Sequence, residues 1–122
     1  MPQYMLMFVG HDDEWAAQPA DQLKNAYADI GRWWDGLETK GVIKSGGELD
    51  HRNTATTVRR VNGAMTVSEG PFLQSEGPFL QSKEHVGGYA LIAVPDLDAA
   101  IAVAKSWPGK STTVEVRPIV ER

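Results

Sequence analysis

The stretch SEGPFLQSEGPFLQS, residues 68–82, is a seven-residue unit written twice with no mismatch between the copies. It divides the chain into two flanks with the same order of elements. Before it come a strand, a long helix and further strands; after it come a strand, a short helix and a last strand. Placing those flanks together decides the fold.

In the first flank, residues 4–9 (YMLMFV) are apolar on both faces, as in a strand covered on two sides. Gly10 ends it, and residues 11–17 predict an acidic loop in which Trp15 packs. From Asp21 the period changes. Leu23, Ala26, Tyr27, Ile30, Trp33, Trp34 and Leu37 recur at helical spacing, with Lys24, Asn25, Asp29 and Arg32 opposite. Pro19 suits the first turn and Gly41 the residue just past the end. Residues 42–49 predict a short strand interrupted at Gly46-Gly47, and residues 50–53 a turn. Residues 54–61 are rich in β-branched side chains, and Asn62-Gly63 marks a two-residue hairpin leading into residues 64–67.

In the second flank, residues 88–94 predict an apolar strand. Asp96 can cap a helix running through Ser106 with Leu97, Ala100, Ile101 and Ala104 on its apolar side. Trp107-Pro108-Gly109 stops it. Residues 113–119 alternate, Val114 and Val116 pointing one way and Glu115 and Arg117 the other.

The order β-α-β, inserted hairpin, β-α-β predicts an α+β fold of one domain, residues 1–122. Its plan is ferredoxin-like βαββαβ with an antiparallel sheet and both helices on one face. The bare face of such a sheet needs a cover, and a second copy is the economical one, so the expectation is a homodimer.

A chain of 122 residues matches one core, and 42% hydrophobic with 23% charged residues is ordinary globular usage. The net charge of −4 and the lack of a basic cluster argue against a nucleic-acid partner. With no cysteine, disulfides, thiolate metal sites and thiol nucleophiles are excluded. No apolar run approaches the ~20 residues of a membrane span. The N-terminus has no basic region before its apolar stretch, so a cytoplasmic protein with no membrane partner is expected.

Five pieces in order resemble the YCII-related family in its DGPF-type branch. They are Tyr4-Met5-Leu6-Met7, residues 54–59 (TATTVR), Gly-Pro-Phe, residues 83–89 (KEHVGGY) and residues 114–118 (VEVRP). The resemblance covers nearly the whole chain. It implies a ferredoxin-like subunit that dimerises into an α/β barrel. By analogy with ring-opening, isomerising and dehalogenating enzymes of that architecture, it also implies a small organic ligand between the sheets. Two departures stand out. Glu69 and Glu76 replace the family's Asp before Gly-Pro-Phe, and Gln81-Ser82 replaces its Glu-Thr.

Seven is odd, so the extra unit inside a paired strand would turn every later side chain to the wrong face. The repeat therefore belongs in a loop or a bulge. Doubling a loop costs only ~0.6 kcal/mol of closure entropy.

His85 is the candidate general acid or base, since imidazole titrates near neutrality; the alternative is an exposed loop histidine. Glu48 follows Gly46-Gly47 at a strand end, either facing a pocket or solvated in a turn. Glu76, Lys83 and Glu84 form a charged cluster that contacts a ligand or packs. Arg117 is the leading ligand-binding candidate because its guanidinium can grip a carboxylate or phenolate through two parallel bonds. Beside it, Glu115 joins the ligand site or forms an ion pair. Neither His11-Asp12-Asp13-Glu14 nor Asp50-His51 has metal-ligand spacing, so no metal is expected. No cofactor-binding motif is present either. The expected function is binding of a small organic ligand, anionic or aromatic, with cofactor-free isomerase- or lyase-like acid/base activity. The alternative is a non-catalytic regulatory or interaction module.

Overall fold

Alternation along the first strand decides what the sheet covers. In the computed structural model, which describes residues 1–71, 85–109 and 113–122, β1 (Gln3–Gly10) buries Tyr4, Leu6 and Phe8 on one side. Met5 and Met7 remain half-buried on the other. After β1 come α1 (Asp12–Ala16), α2 (Ala20–Thr39), β2 (Ile43–Glu48), a 3₁₀ turn (Arg52–Thr54), β3 (Thr56–Val61) and β4 (Ala64–Glu69). The chain closes with β5 (His85–Ala93), α3 (Leu97–Lys105) and β6 (Thr113–Pro118). The fold is therefore mixed α and β.

Four strands form one antiparallel sheet in the order β2-β5-β1-β6. The hairpin β3-β4 stands apart as a second, two-stranded sheet. Within the chain, β2 and β6 are the sheet's two ends and do not pair, so a single copy does not close into a barrel.

Both main helices lie on the Tyr4-Leu6-Phe8 side. Leu6 and Ile92 are fully buried. Against this cluster α2 lays Trp33, Trp34 and Leu37, while α3 adds Ala100, Val103 and Ala104. Trp107, just past α3, stacks on Phe8 with ring centroids 4.0 Å apart. Trp33 meets both rings edge-on, and its indole nitrogen donates to Ser106 Oγ at 2.8 Å, tying the helices together. Trp33 and Trp34 thus serve the core, as their helical spacing predicts.

Helix limits follow local chemistry. Pro19 stands at the α2 N-cap, and Gly41 adopts φ +77° after Lys40. The Gly41 and Val42 amides donate to the Glu38 and Leu37 carbonyls, satisfying groups the helix end leaves open. Asp96 caps α3 by accepting from the Ala99 amide at 2.9 Å.

Several boundaries differ from the sequence reading. Residues 12–16 are helical rather than loop, with Asp12, Asp13 and Glu14 in a first turn where acids offset the helix dipole. The strand expected from residue 88 begins at His85, because a bulge between Phe8 and Val9 lets pairing to β1 continue past the two glycines. The strand expected from residue 54 begins at Thr56, and β4 continues to Glu69 because Ser68 and Glu69 find partners in Thr57 and Thr56. The start of the first heptapeptide copy is thus strand, not loop. The remainder from Phe72 onward lies outside the described residues. No described helix is long and apolar enough to cross a membrane.

Candidate functional site

Glu48 ends β2 opposite Gly88 of β5. The Tyr27 hydroxyl, on α2, donates to Glu48 Oε1 at 2.6 Å. In turn the Trp15 indole nitrogen, on α1, donates to the Tyr27 oxygen at 3.1 Å. Their rings meet edge-on at 5.2 Å. Burial first, and then the Glu48 carboxylate, holds the Tyr27 phenol above its ordinary range, so it remains a proton donor near neutrality. Glu48 is therefore an oriented carboxylate on the helix side of the sheet rather than a loose turn residue.

His85 reaches the same end of the sheet through the bulge. Phe8 pairs with Gly88 and Val9 with Val86, leaving Gly87 as the extra residue. That slip advances the alternation by one, so His85 comes opposite Gly10 on the helix side and Val86 faces the other way. The Gly87 carbonyl accepts from the Leu49 amide at 2.8 Å, which holds the β2 end against the bulge. His85 is half-buried, and its Nε2 is sealed from solvent with no hydrogen-bond partner among the described residues. The exposed loop histidine is thus replaced by the first residue of a strand.

Arg117 and Glu115 lie on the other face. Arg117 pairs with Met5 and Glu115 with Met7, and Tyr89 and Leu91 pair with the same methionines from β5. This face carries half-buried Met5, Met7, Tyr89 and Leu91, with the two charged side chains exposed along the β6 edge. Glu48 and His85 thus share the helix side of the sheet, and Arg117 and Glu115 share the other. Glu76, Lys83 and Glu84 lie outside the described residues.

A cluster that spacing alone does not reveal joins α1 to the 3₁₀ turn. Arg52 donates to Asp12 at 2.5 Å and to Asp13 at 2.7 Å, and its amide donates to Asp12 at 3.1 Å. His51 Nε2 lies 2.7 Å from Asp13. The His51 bond, then that of Arg52, lowers the Asp13 pKa; the Asp13 bond raises those of His51 and Arg52. The donor atoms of Asp12, Asp13 and His51 lie within 4.8 Å of one another, close enough for a cation. The Arg52 guanidinium already supplies positive charge to both carboxylates, so the group is satisfied as an ion-pair network. Tyr27 was legible only as part of an apolar stripe; its hydroxyl position depends on α2 crossing the β2 end.

The family model for the YCII-related domain matches residues 3–122, and the chain belongs to that family. Among curated proteins none matches the chain.

Proposed function

We propose that this YCII-related chain belongs to the DGPF-type branch and acts as a homodimer of ferredoxin-like subunits. The sheets face each other as an α/β barrel and hold a small anionic or aromatic organic ligand between them. The supporting observation is the composition of the face away from the helices. It offers apolar Met5, Met7, Tyr89 and Leu91 with Arg117 paired to Met5 on the neighbouring strand, a combination suited to a flat apolar body bearing one carboxylate. Glu115 two residues away would limit occupancy to one negative group.

Binding is favoured over catalysis by the placement of the acid/base candidates. Glu48 and His85 lie on the helix side, away from Arg117, and one oxygen of Glu48 is engaged by Tyr27. That separation is the reason to keep a non-catalytic regulatory module as the second reading. Isomerase- or lyase-like chemistry would require a ligand reaching the Glu48 and His85 corner instead.

The test is ligand-observed NMR with benzoate as the probe, run beside light scattering. Saturable benzoate binding by a dimer, lost in Arg117→Met and retained in His85→Gln, is the expected result. Equal binding by wild type and Arg117→Met would end the proposal for this face.

A further inference from the structure

The hairpin β3-β4 is the most exposed apolar element among the described residues, and no other described strand pairs with it. Val58 is 54% exposed, Met65 54% and Val67 70%. A two-stranded hairpin alone is marginal in water. This one is braced at its root. The Gly70 amide donates to the Ala55 carbonyl at 2.8 Å, and Thr57 Oγ1 donates to the Gly70 carbonyl at 2.7 Å. Just before it, the Arg52 and His51 network fastens the turn to α1. The arm is thus held in a set direction with its apolar face uncovered.

The register orders that face. Thr56 pairs with Glu69, Val58 with Val67, and Arg60 with Met65. Directly opposite residues and those two apart share a face. From root to tip the face therefore reads Glu69, then the Val58/Val67 pair, then Arg60 beside Met65. An acidic end and a basic end lie at equal distance from an apolar centre. Such a face is complementary to itself after a half-turn about the central pair. Val58 and Val67 would meet their counterparts on the axis, and Arg60 would lie over Glu69 of the partner subunit, twice.

We propose that this arm face is a self-association surface for a second copy of the chain, packed root to tip with Val58 and Val67 at the two-fold axis. The surface is separate from the ligand-side sheet face and does not rest on it. At about 20 Å by 10 Å it is smaller than a standard interface, so the association is weak, in the micromolar range or above. Arg60 Nη1 reaches the Gly63 carbonyl at 3.3 Å within its own turn, a long bond that the partner's carboxylate would replace.

Sedimentation equilibrium of the full chain tests this. Val67→Asp is expected to weaken self-association about tenfold or more. Arg60→Glu and Glu69→Arg are each expected to weaken it, and the double reversal to restore it. Within one chain those two residues are four positions apart along the ladder, roughly 13 Å, too far to pair. Restoration therefore reports contact between chains, and it cannot come from a variant that merely fails to fold. An unchanged constant in Val67→Asp, a double reversal no better than the singles, or a wild-type chain that stays monomeric at millimolar concentration would each overturn the proposal. Leu91→Asp probes the other face separately. Loss of association there, with Val67→Asp silent, removes the arm and leaves the ligand-side dimer standing.

Discussion

Tyr27, in the second turn of α2, gives its hydroxyl hydrogen to Glu48 at the end of β2 across 2.6 Å. Because Trp15 donates to the same oxygen, one phenol joins α1, α2 and the sheet. A net hydrogen bond of this kind contributes about 0.5–1.5 kcal/mol. Tyr27→Phe is expected to lower stability by that amount in urea unfolding and to shift Trp15 fluorescence. A variant with unchanged unfolding and unchanged emission would show that the phenol ties nothing.

The His51–Asp13 contact sets a pH window. Bonding to Asp13 holds His51 above its ordinary 6.5, so its contribution is complete below that value and is lost as pH rises through the raised one. Bonding to His51 and Arg52 holds Asp13 below its ordinary 3.8; its contribution is present above 3.8 and is lost as pH falls through the lowered value. The clamp is therefore complete between about pH 4 and 6.5. NMR titration should place the His51 midpoint above 6.5, and Asp13→Asn should bring it back down. A His51 midpoint unaffected by Asp13→Asn would contradict the contact.

Gly46 and Gly47 should respond oppositely to a methyl group. Gly46 has φ +152°, and a Cβ there would overlap the Tyr89 carbonyl and the Trp34 ring, with Ala90 Cα at 2.9 Å. Backbone strain and overpacking each cost about 1–3 kcal/mol, so Gly46→Ala should lose roughly 2–6 kcal/mol. At Gly47 nothing lies within 4 Å of the added carbon, and Gly47→Ala should change stability by less than about 1 kcal/mol. Paired thermal melts decide it.

Asp96 offers a cleaner local test. Its carboxylate accepts from the Ala99 amide, and losing an N-cap of this kind costs about 1 kcal/mol. Asp96→Ala should show that loss while Asp96→Ser recovers most of it. Equal stability of both variants would mean that the cap contributes nothing to α3.

Local periodicity carried much of the architecture. Two apolar stripes placed α2 and α3, Asn62-Gly63 placed the hairpin turn, and alternation in residues 113–119 separated Val114 and Val116 from Glu115 and Arg117. Each signal depends on neighbours within a turn or a strand, which a sequence displays directly. The short α1 escaped because five residues are too few for a period to appear.

What the sequence by itself determined was therefore the order of the strands and the two main helices, the apolar sides of α2 and α3, the family, and the placing of Arg117 and Glu115 on one face. Only the tertiary structure decided that Glu48 would be held by Tyr27, that Asp12 and Asp13 would meet His51 and Arg52, and that His85 would face the helices. Those outcomes hang on register between distant segments. One extra residue at Gly87 moves every side chain before it to the opposite face, and no local pattern records where such a slip falls.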